Sequence, residues 1–356
     1  MLSLLNSTGT AATLTIFGAA VLAVWISGTA LSRHADAIAS RTGLGHAFTG
    51  VLLLGAATSL PELATTISAS LQGHPSLAGT NLLGSIAMQI AVLAVIDGLV
   101  LRGRALTHFS ATPAFLMQAV LLTLLLALTA AAIAAGEFWS FGPVGVGSVL
   151  LATADGMALV VMYNYEGSGR GQPAEPAASI PATAEAGPGD PAAGDANPAG
   201  TLGGLVLRFS LAAAGVLVSG WVVATSGARL TEVTGLDETL VGASLVALAT
   251  SLPEVSTTYQ AVRMGSYAMA VGNIFGTNAL DLALFLPADL AYADGTVIDA
   301  LDGRAVFLTA LGIVLTCLYL WGVLERRDRT LLGFGVDSAA VIVVYAAGLL
   351  LLYRLG

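Results

Sequence analysis

Three stretches of this chain, Pro113–Ala135, Phe209–Ala228 and Ala305–Leu324, contain no charged residue. A bilayer core of about 30 Å is crossed by about 20 apolar residues in a helix. Inside that core every backbone N–H and C=O must be satisfied within the segment, which leaves helices or closed barrels. From Thr42 to Ile96 the only charged residue is Glu62, room for two spans joined at the turn signal Gln72–Ser76. Length alone, 356 residues, would suggest two domains or one large one. Composition overrides it: 56% of residues are hydrophobic and 10% are charged, against about a quarter charged in soluble domains. The apolar stretch Leu14–Ile26 has no basic residue before it, so it reads as a first membrane helix rather than a signal peptide.

The chain therefore reads as an all-α membrane protein of ten transmembrane helices, near residues 11–31, 46–72, 76–101, 113–135, 142–164, 204–226, 239–263, 266–292, 304–324 and 334–353. Gly167–Gly200 has no aromatic residue and is dense in Pro, Ala and Gly. It cannot bury enough apolar surface to fold, so residues 167–202 read as a disordered cytoplasmic linker between a first half, 1–166, and a second, 203–356. Its Gly-Pro-Gly-Asp is discarded as an intramembrane protease motif because it lies outside a membrane helix. Arginine placement orients the chain. With the N-terminus outside, inner segments hold ten of the thirteen arginines and outer segments hold Arg229, Arg304 and Arg354. Both termini are then outside and the linker is cytoplasmic. The single cysteine, Cys317, precludes an intrachain disulfide, and a net charge of −9 argues against nucleic acid as a partner.

The chain repeats itself. Thr42–Asp97 lies on Thr234–Asp289 without a gap at an offset of 192, and Ala57–Glu62 and Ala249–Glu254 both read Ala-Thr-Ser-Leu-Pro-Glu. Five spans per half is an odd number, so the second half enters the membrane the opposite way up. Inverted repeats place a binding site near the midplane where the halves meet.

Ser-Leu-Pro-Glu by itself is a capping box that starts a helix. Here it lies mid-span, so it reads as a break in helices two and seven at the midplane. Pro61 and Pro253 cannot donate to the carbonyls four residues earlier. A carboxylate at the bilayer centre costs at least about 2.5–3.5 kcal/mol, which makes Glu62 and Glu254 functional candidates. Thr58 and Ser59 share a helix face with Glu62, as Thr250 and Ser251 do with Glu254. In the next helix of each half, Asn81, Ser85 and Gln89 form a polar stripe, matched by Asn273, Thr277 and Asp281. Gly84 and Gly276 would let backbones approach closely, and Thr65, Thr66, Thr257 and Thr258 read as packing residues. Carboxylates, hydroxyls, amides and freed carbonyls are hard oxygen ligands suited to Ca²⁺ and Na⁺. The four histidines, His34, His46, His74 and His108, look loop-proximal, which disfavours Zn²⁺ or Cu²⁺. Asp97 and Asp289 match in the repeat but lie near span ends, where solvation would explain them. Asp155, mid-span in helix five, reads equally as a proton site or a structural acceptor.

These motifs resemble the two alpha-repeats of the calcium/cation antiporter superfamily, and most closely bacterial sodium/calcium exchangers. That family carries Thr-Ser-Xaa-Pro-Glu followed by Gly-Asn-Xaa-Xaa-Gly-Ser-Asn and a later Asn or Asp. The resemblance implies secondary antiport of Ca²⁺ against Na⁺ by alternating access, without cofactor or enzymatic chemistry, in a bacterial-type inner membrane. It implies inorganic cations and the lipid bilayer as partners, and no obligatory protein partner. Glu62 and Glu254 resemble the principal calcium-binding acids. Thr58, Ser59, Thr250 and Ser251 resemble their oxygen-supplying neighbours, and Ser85, Thr277 and Asp281 resemble ligands of helices three and eight. Gln89, Ile86 and Thr80 depart from the pattern. The alternative on the same fold is a cation/proton antiporter in which Asp281 or Asp155 titrates. The proton-driven branch has Gly-Asn-Ala-Xaa-Glu, which neither half carries. A channel-like protein using the repeat only for packing is a third reading, disfavoured by the paired acids.

Overall fold

The computed structural model describes residues 9–42, 55–100, 113–167, 201–263, 267–325, 330–331 and 334–355. Its helices are α1 (Thr10–Thr42), α2 (Leu60–Leu71), α3 (Pro75–Val100), α4 (Pro113–Ala135), α5 (Val146–Gly167), α6 (Leu202–Thr234), α7 (Glu238–Thr250), α8 (Leu252–Arg263), α9 (Tyr267–Ala283), α10 (Phe285–Ala291), α11 (Gly303–Glu325) and α12 (Val336–Leu355). Two short hairpins interrupt them: β1 (Ser140–Phe141) with β2 (Val144–Gly145), and β3 (Thr330–Leu331) with β4 (Phe334–Gly335). Among the described residues eight helical stretches are long and apolar enough to cross a membrane. α7 and α8 make a ninth if their 51° bend lies within one span. The linker residues 168–200, His46, His108 and the first part of span two lie outside the described residues.

Burial follows composition. A helix apolar on every side belongs in the interior of a bundle, and α3 is the case here, with 83% of its apolar window buried. The corresponding share is 33% for α4 and 28% for α12, so these helices are covered much less completely than α3. Around α3 pack α2, α9, α11, α12 and the α7–α8 segment, while α1 packs chiefly along α6. Phe115 of α4 meets Phe275 of α9 edge-on, with ring centroids 4.9 Å apart, and Tyr319 of α11 closes the cluster.

Several expectations are corrected by local chemistry. The apolar span of α1 is Thr10–Leu31, close to expectation, but the helix does not stop there. α1 continues to Thr42, so Arg33, His34 and Arg41 ride on a helix rather than a loop. Span six likewise runs on to Thr234. Thr201 caps its start by accepting from the Gly204 amide, and Gly235, at φ 71°, ends it in the left-handed region that glycine favours. Span eight remains one apolar stretch, Ala270–Ala291, built of α9 and α10 parted at Leu284. The strands were not foreseen, because two-residue strands carry no periodicity. They obey a symmetry of their own: Ser140 pairs with Gly145 and Thr330 with Gly335, an offset of 190. Gly145-Val-Gly-Ser148 then recurs as Gly335-Val-Asp-Ser338.

Those hairpins show what Asp97 and Asp289 do. Both are buried rather than solvated. Asp289 Oδ2 accepts from Ser148 Oγ at 2.6 Å and from the Gly145 amide at 2.9 Å, and Oδ1 accepts from the Val297 amide at 2.7 Å. Asp97 Oδ2 accepts from Ser338 Oγ at 2.5 Å. Each repeat thus ends on a carboxylate that fastens the last long helix of the other half. Buried polar groups need such partners.

Candidate cation-binding site

Ser59 and Ser251 occupy the same backbone conformation, φ −78° with ψ 2° and 3° respectively. A ψ near zero departs from the α-helix, and at Ser251 the departure coincides with the 51° bend between α7 and α8. The backbone closes tightly around both: the Ser59 amide donates to Gly55 O at 2.9 Å and the Ser251 amide to Ala247 O at 3.0 Å. Ser59 does not cap α2 with its side chain, so the capping-box reading fails there. Proline two residues on explains the break without a cap, since it removes one donor from the ladder. The Ser251 hydroxyl instead donates across to Glu62 Oε1 at 3.4 Å.

The predicted residues come together. Glu62, Glu254, Thr58, Thr250, Ser59, Ser251, Ser85, Thr277, Asp281 and Gln89 are all buried. Their contacts cross between halves. Ser85 Oγ lies 3.4 Å from Thr250 Oγ1, which also donates to Asn81 Oδ1 at 3.4 Å. Gln89 ties both stripes, donating to Ser251 Oγ at 3.3 Å and accepting from Thr277 Oγ1 at 3.1 Å. Thr58 stands near the Glu254 carboxylate and Ser59 near Asp281, yet neither pair reaches hydrogen-bond geometry. First-repeat hydroxyls thus face second-repeat acids, and second-repeat hydroxyls face Glu62.

The acids are left open. Glu62 Oε2 and both carboxylate oxygens of Glu254 and of Asp281 are buried and have no hydrogen-bond partner among the described residues. Among the described residues no arginine makes an ion pair with any of them; the pairs present involve other acids. Uncompensated carboxylates in a low-dielectric interior repel one another and need positive charge. Among the described residues no three acid, histidine or cysteine side chains gather as a metal cluster by themselves. Cation ligation here would draw on the hydroxyls, amides and carbonyls around the acids, the ligand set that hard cations take.

Two placements differ from expectation. Gly84 does permit a backbone approach, to Ala243, but Gly276 faces the Gln118 side chain instead. The packing threonines are also bonded into the repeat: Asn81 Nδ2 donates to Thr66 Oγ1 and Asn273 Nδ2 to Thr257 Oγ1, each at 3.4 Å. Asn278 is a residue that the polar-stripe spacing passes over. It is fully buried with neither amide atom partnered among the described residues, and it sits one helical turn before Asp281. Its signal lay within the flagged segment, where Ile86 takes its place in the first half.

Comparison with known proteins agrees with this architecture. The chain is 31% identical over 81 residues to the sodium/calcium exchanger MaX1 of Methanosarcina acetivorans, covering 23% of each chain. It is 30% identical over 128 residues to the putative antiporter CaxA of Alkalimonas amylolytica, covering 35% of this chain and 38% of that one. These matches span well under two thirds of the relatives. Its fold is similar to that of the sodium-calcium exchanger NCX_Mj (TM-score 0.56, 16% identity, 98% of both chains). It is also similar to the H⁺/Ca²⁺ exchanger CAX (TM-score 0.60, 13% identity, 96% of this chain and 88% of that one) and to YfkE (TM-score 0.63, 12% identity, 99% and 100%). The sodium/calcium exchanger protein family model matches residues 12–164 and 204–354, both halves of the molecule, and the chain belongs to that family.

Proposed function

We propose that this protein is a secondary antiporter that exchanges Ca²⁺ for Na⁺ by alternating access. The observation that carries the reading is the crossed arrangement of Glu62 and Glu254. Each is contributed by one half, each is fully buried, and each keeps unpartnered carboxylate oxygen beside hydroxyls of the opposite half. Ten helices in two inverted five-helix halves, with helices two and seven broken at Ser59 and Ser251, would bring the repeated motifs to one midplane site. Ca²⁺ would be held by both glutamates with oxygens from Thr58, Thr250, Ser85 and Thr277. Ser59, Ser251, Gln89 and Asp281 would complete the sites for Na⁺. The family membership and the sodium-calcium exchanger relatives support Na⁺ as the coupling ion. The arginine distribution supports an inner-membrane protein with both termini outside and the linker cytoplasmic.

A second reading, exchange of a cation against H⁺, is favoured by Asp281, an additional buried acid with no partner, and by the fold likeness to CAX. Calcium uptake into proteoliposomes separates the two. Uptake driven by an outward Na⁺ gradient and indifferent to an imposed pH gradient supports Na⁺ exchange. Uptake driven by the pH gradient alone supports the second reading. Absence of any gradient-driven cation flux overturns both.

A further inference from the structure

His74 and Glu238 join the two halves of the molecule. His74 Nδ1 lies 2.7 Å from Glu238 Oε1, and the two side chains are 25% and 31% exposed. Each is seated firmly in its own half. The His74 amide donates to Ala69 O of α2 at 2.9 Å, and its carbonyl accepts from the Ala78 amide of α3 at 3.1 Å. Asp237, beside Glu238, caps α7 by accepting from the Thr239 amide at 2.8 Å and pairs with Arg304 of α11 at 2.8 Å. The start of α7 is thus fastened to its own half by Asp237 and to the other half by Glu238.

A seam of contacts runs from this pair to the cation site, because α7 lies along α3. A β-carbon on Gly242, where the π-helical turn begins, would stand 3.0 Å from Leu77 O and meet the Thr80 hydroxyl. Gly84 touches the main chain of Ala243 next. The seam ends where Thr250 meets Asn81 and Ser85, each at 3.4 Å. Glu238 and Thr250 are 12 residues apart, roughly 18 Å of helix. What holds Glu238 therefore helps to hold α7 on α3 as far as its 51° bend.

The pair has room to open. A cavity of about 380 Å³ borders His74, lined also by Gln72, Thr225, Arg229 and Glu232. The other charges around the imidazole are engaged. Arg229 of α6 pairs with Glu232, Arg304 pairs with Asp237 and Asp302, and Asp299 accepts from the Glu137 amide. α2 and α3 carry only Glu62 and Asp97, both toward the ends away from His74. An imidazole changes charge between about pH 5 and pH 8, whereas carboxylates and guanidinium groups ordinarily titrate outside that range.

We propose that His74 and Glu238 form a proton-operated latch, closed when the imidazole is charged, that holds α7 against α3 and slows exchange. The inference rests on the exchange reading above, since alternating access requires the contacts between the halves to change. A charged imidazole makes the stronger, charge-assisted bond to the carboxylate, and a neutral one makes an ordinary bond. The hydrogen bond to Glu238 raises the imidazole above its ordinary value against the pull of burial, and the charge of Glu232 adds to the rise. The latch is therefore closed below the ordinary imidazole range and opens as pH rises through the raised value.

The test is Na⁺-driven Ca²⁺ uptake by full-length protein in proteoliposomes, with pH equal on both faces and varied from about 5 to about 8. Wild type, His74→Gln and His74→Lys are compared. Glutamine never carries the charge and lysine always does, so the two variants fix the latch open and closed. His74 is partly exposed at a turn, so both should fold. Protons at the buried acids act on all three proteins alike. Beyond that shared dependence, wild-type uptake should rise with pH by up to about fivefold, the factor for a partly exposed ion pair. His74→Gln should be fast and His74→Lys slow throughout. Equal rates in the two variants would overturn the latch. Hydrogen exchange at the amides of Gly242–Val246 needs no transport. Corrected for its intrinsic pH dependence, it should quicken with pH in the wild type alone. Equal protection of wild type and His74→Lys at the alkaline end would overturn the latch. Absent uptake with that quickening intact would count against the exchange reading instead.

Discussion

Gly84 and Ala243 touch backbone to backbone. A β-carbon on Gly84 would stand 2.3 Å from the Ala243 Cα and 2.7 Å from its carbonyl oxygen. Gly84 belongs to α3 and Ala243 to the π-helical turn Gly242–Val246 within α7, so this contact sets how closely the two halves meet beside the acids.

Gly84→Ala should therefore be costly, because the obstacle is main chain and cannot swing aside. Overpacking of this kind costs about 1–3 kcal/mol or more, and a thermal melt in detergent should show a clear drop. Gly276→Ala is the contrast. Its new methyl would meet the Gln118 side-chain nitrogen at 3.0 Å, which can shift, so its melting temperature should fall much less. Equal losses would contradict the geometry.

Asp289→Ala removes the acceptor for the Ser148 hydroxyl and for the Gly145 and Val297 amides together. Each buried donor left without a partner costs about 1–3 kcal/mol, so the protein should be strongly destabilised. Ser148→Ala takes away one donor only and should be milder. Hydrogen exchange at the Val297 amide reads the effect directly, with fast exchange expected in Asp289→Ala and near-native protection in Ser148→Ala.

At the turn between α2 and α3, His74 Nδ1 lies 2.7 Å from Glu238 at the start of α7. The hydrogen bond to Glu238 raises the imidazole above its ordinary value, outweighing burial. A raised value means that the pair's contribution is complete below the ordinary imidazole range and fades as pH rises through the raised one. Both side chains are partly exposed, so the effect is at most about 1 kcal/mol. NMR titration should place His74 above the ordinary imidazole value, and Glu238→Gln should bring it back down. A His74 titration unchanged by Glu238→Gln would contradict the pairing.

Much of the architecture was legible because the membrane constrains it so strongly. Uncharged runs such as Pro113–Ala135 could only be helices, and α4 has those bounds. The site was legible through the duplicated Ala-Thr-Ser-Leu-Pro-Glu, since carboxylates at such depth require a reason. The crossing of partners was not legible: spacing places Ser251 beside Glu254, whereas its hydroxyl reaches Glu62, 189 positions away. Asp289 was misread because proximity to a span end suggests water, and only the unforeseen hairpin β1–β2 shows what covers it. Asn278 escaped because it lies off the i, i+4 stripe of Asn273, Thr277 and Asp281.

The central claim is that Glu62 and Glu254 hold one cation between the two halves. Glu62→Gln and Glu254→Gln keep size and remove charge, so both proteins should insert and purify like the wild type. The decisive measurement is Na⁺-driven Ca²⁺ uptake by each variant in proteoliposomes, set against wild type at equal protein density. The account predicts that uptake falls to background in both. Uptake at the native rate in either variant would contradict the two-carboxylate site and leave the motif as a break in a membrane helix.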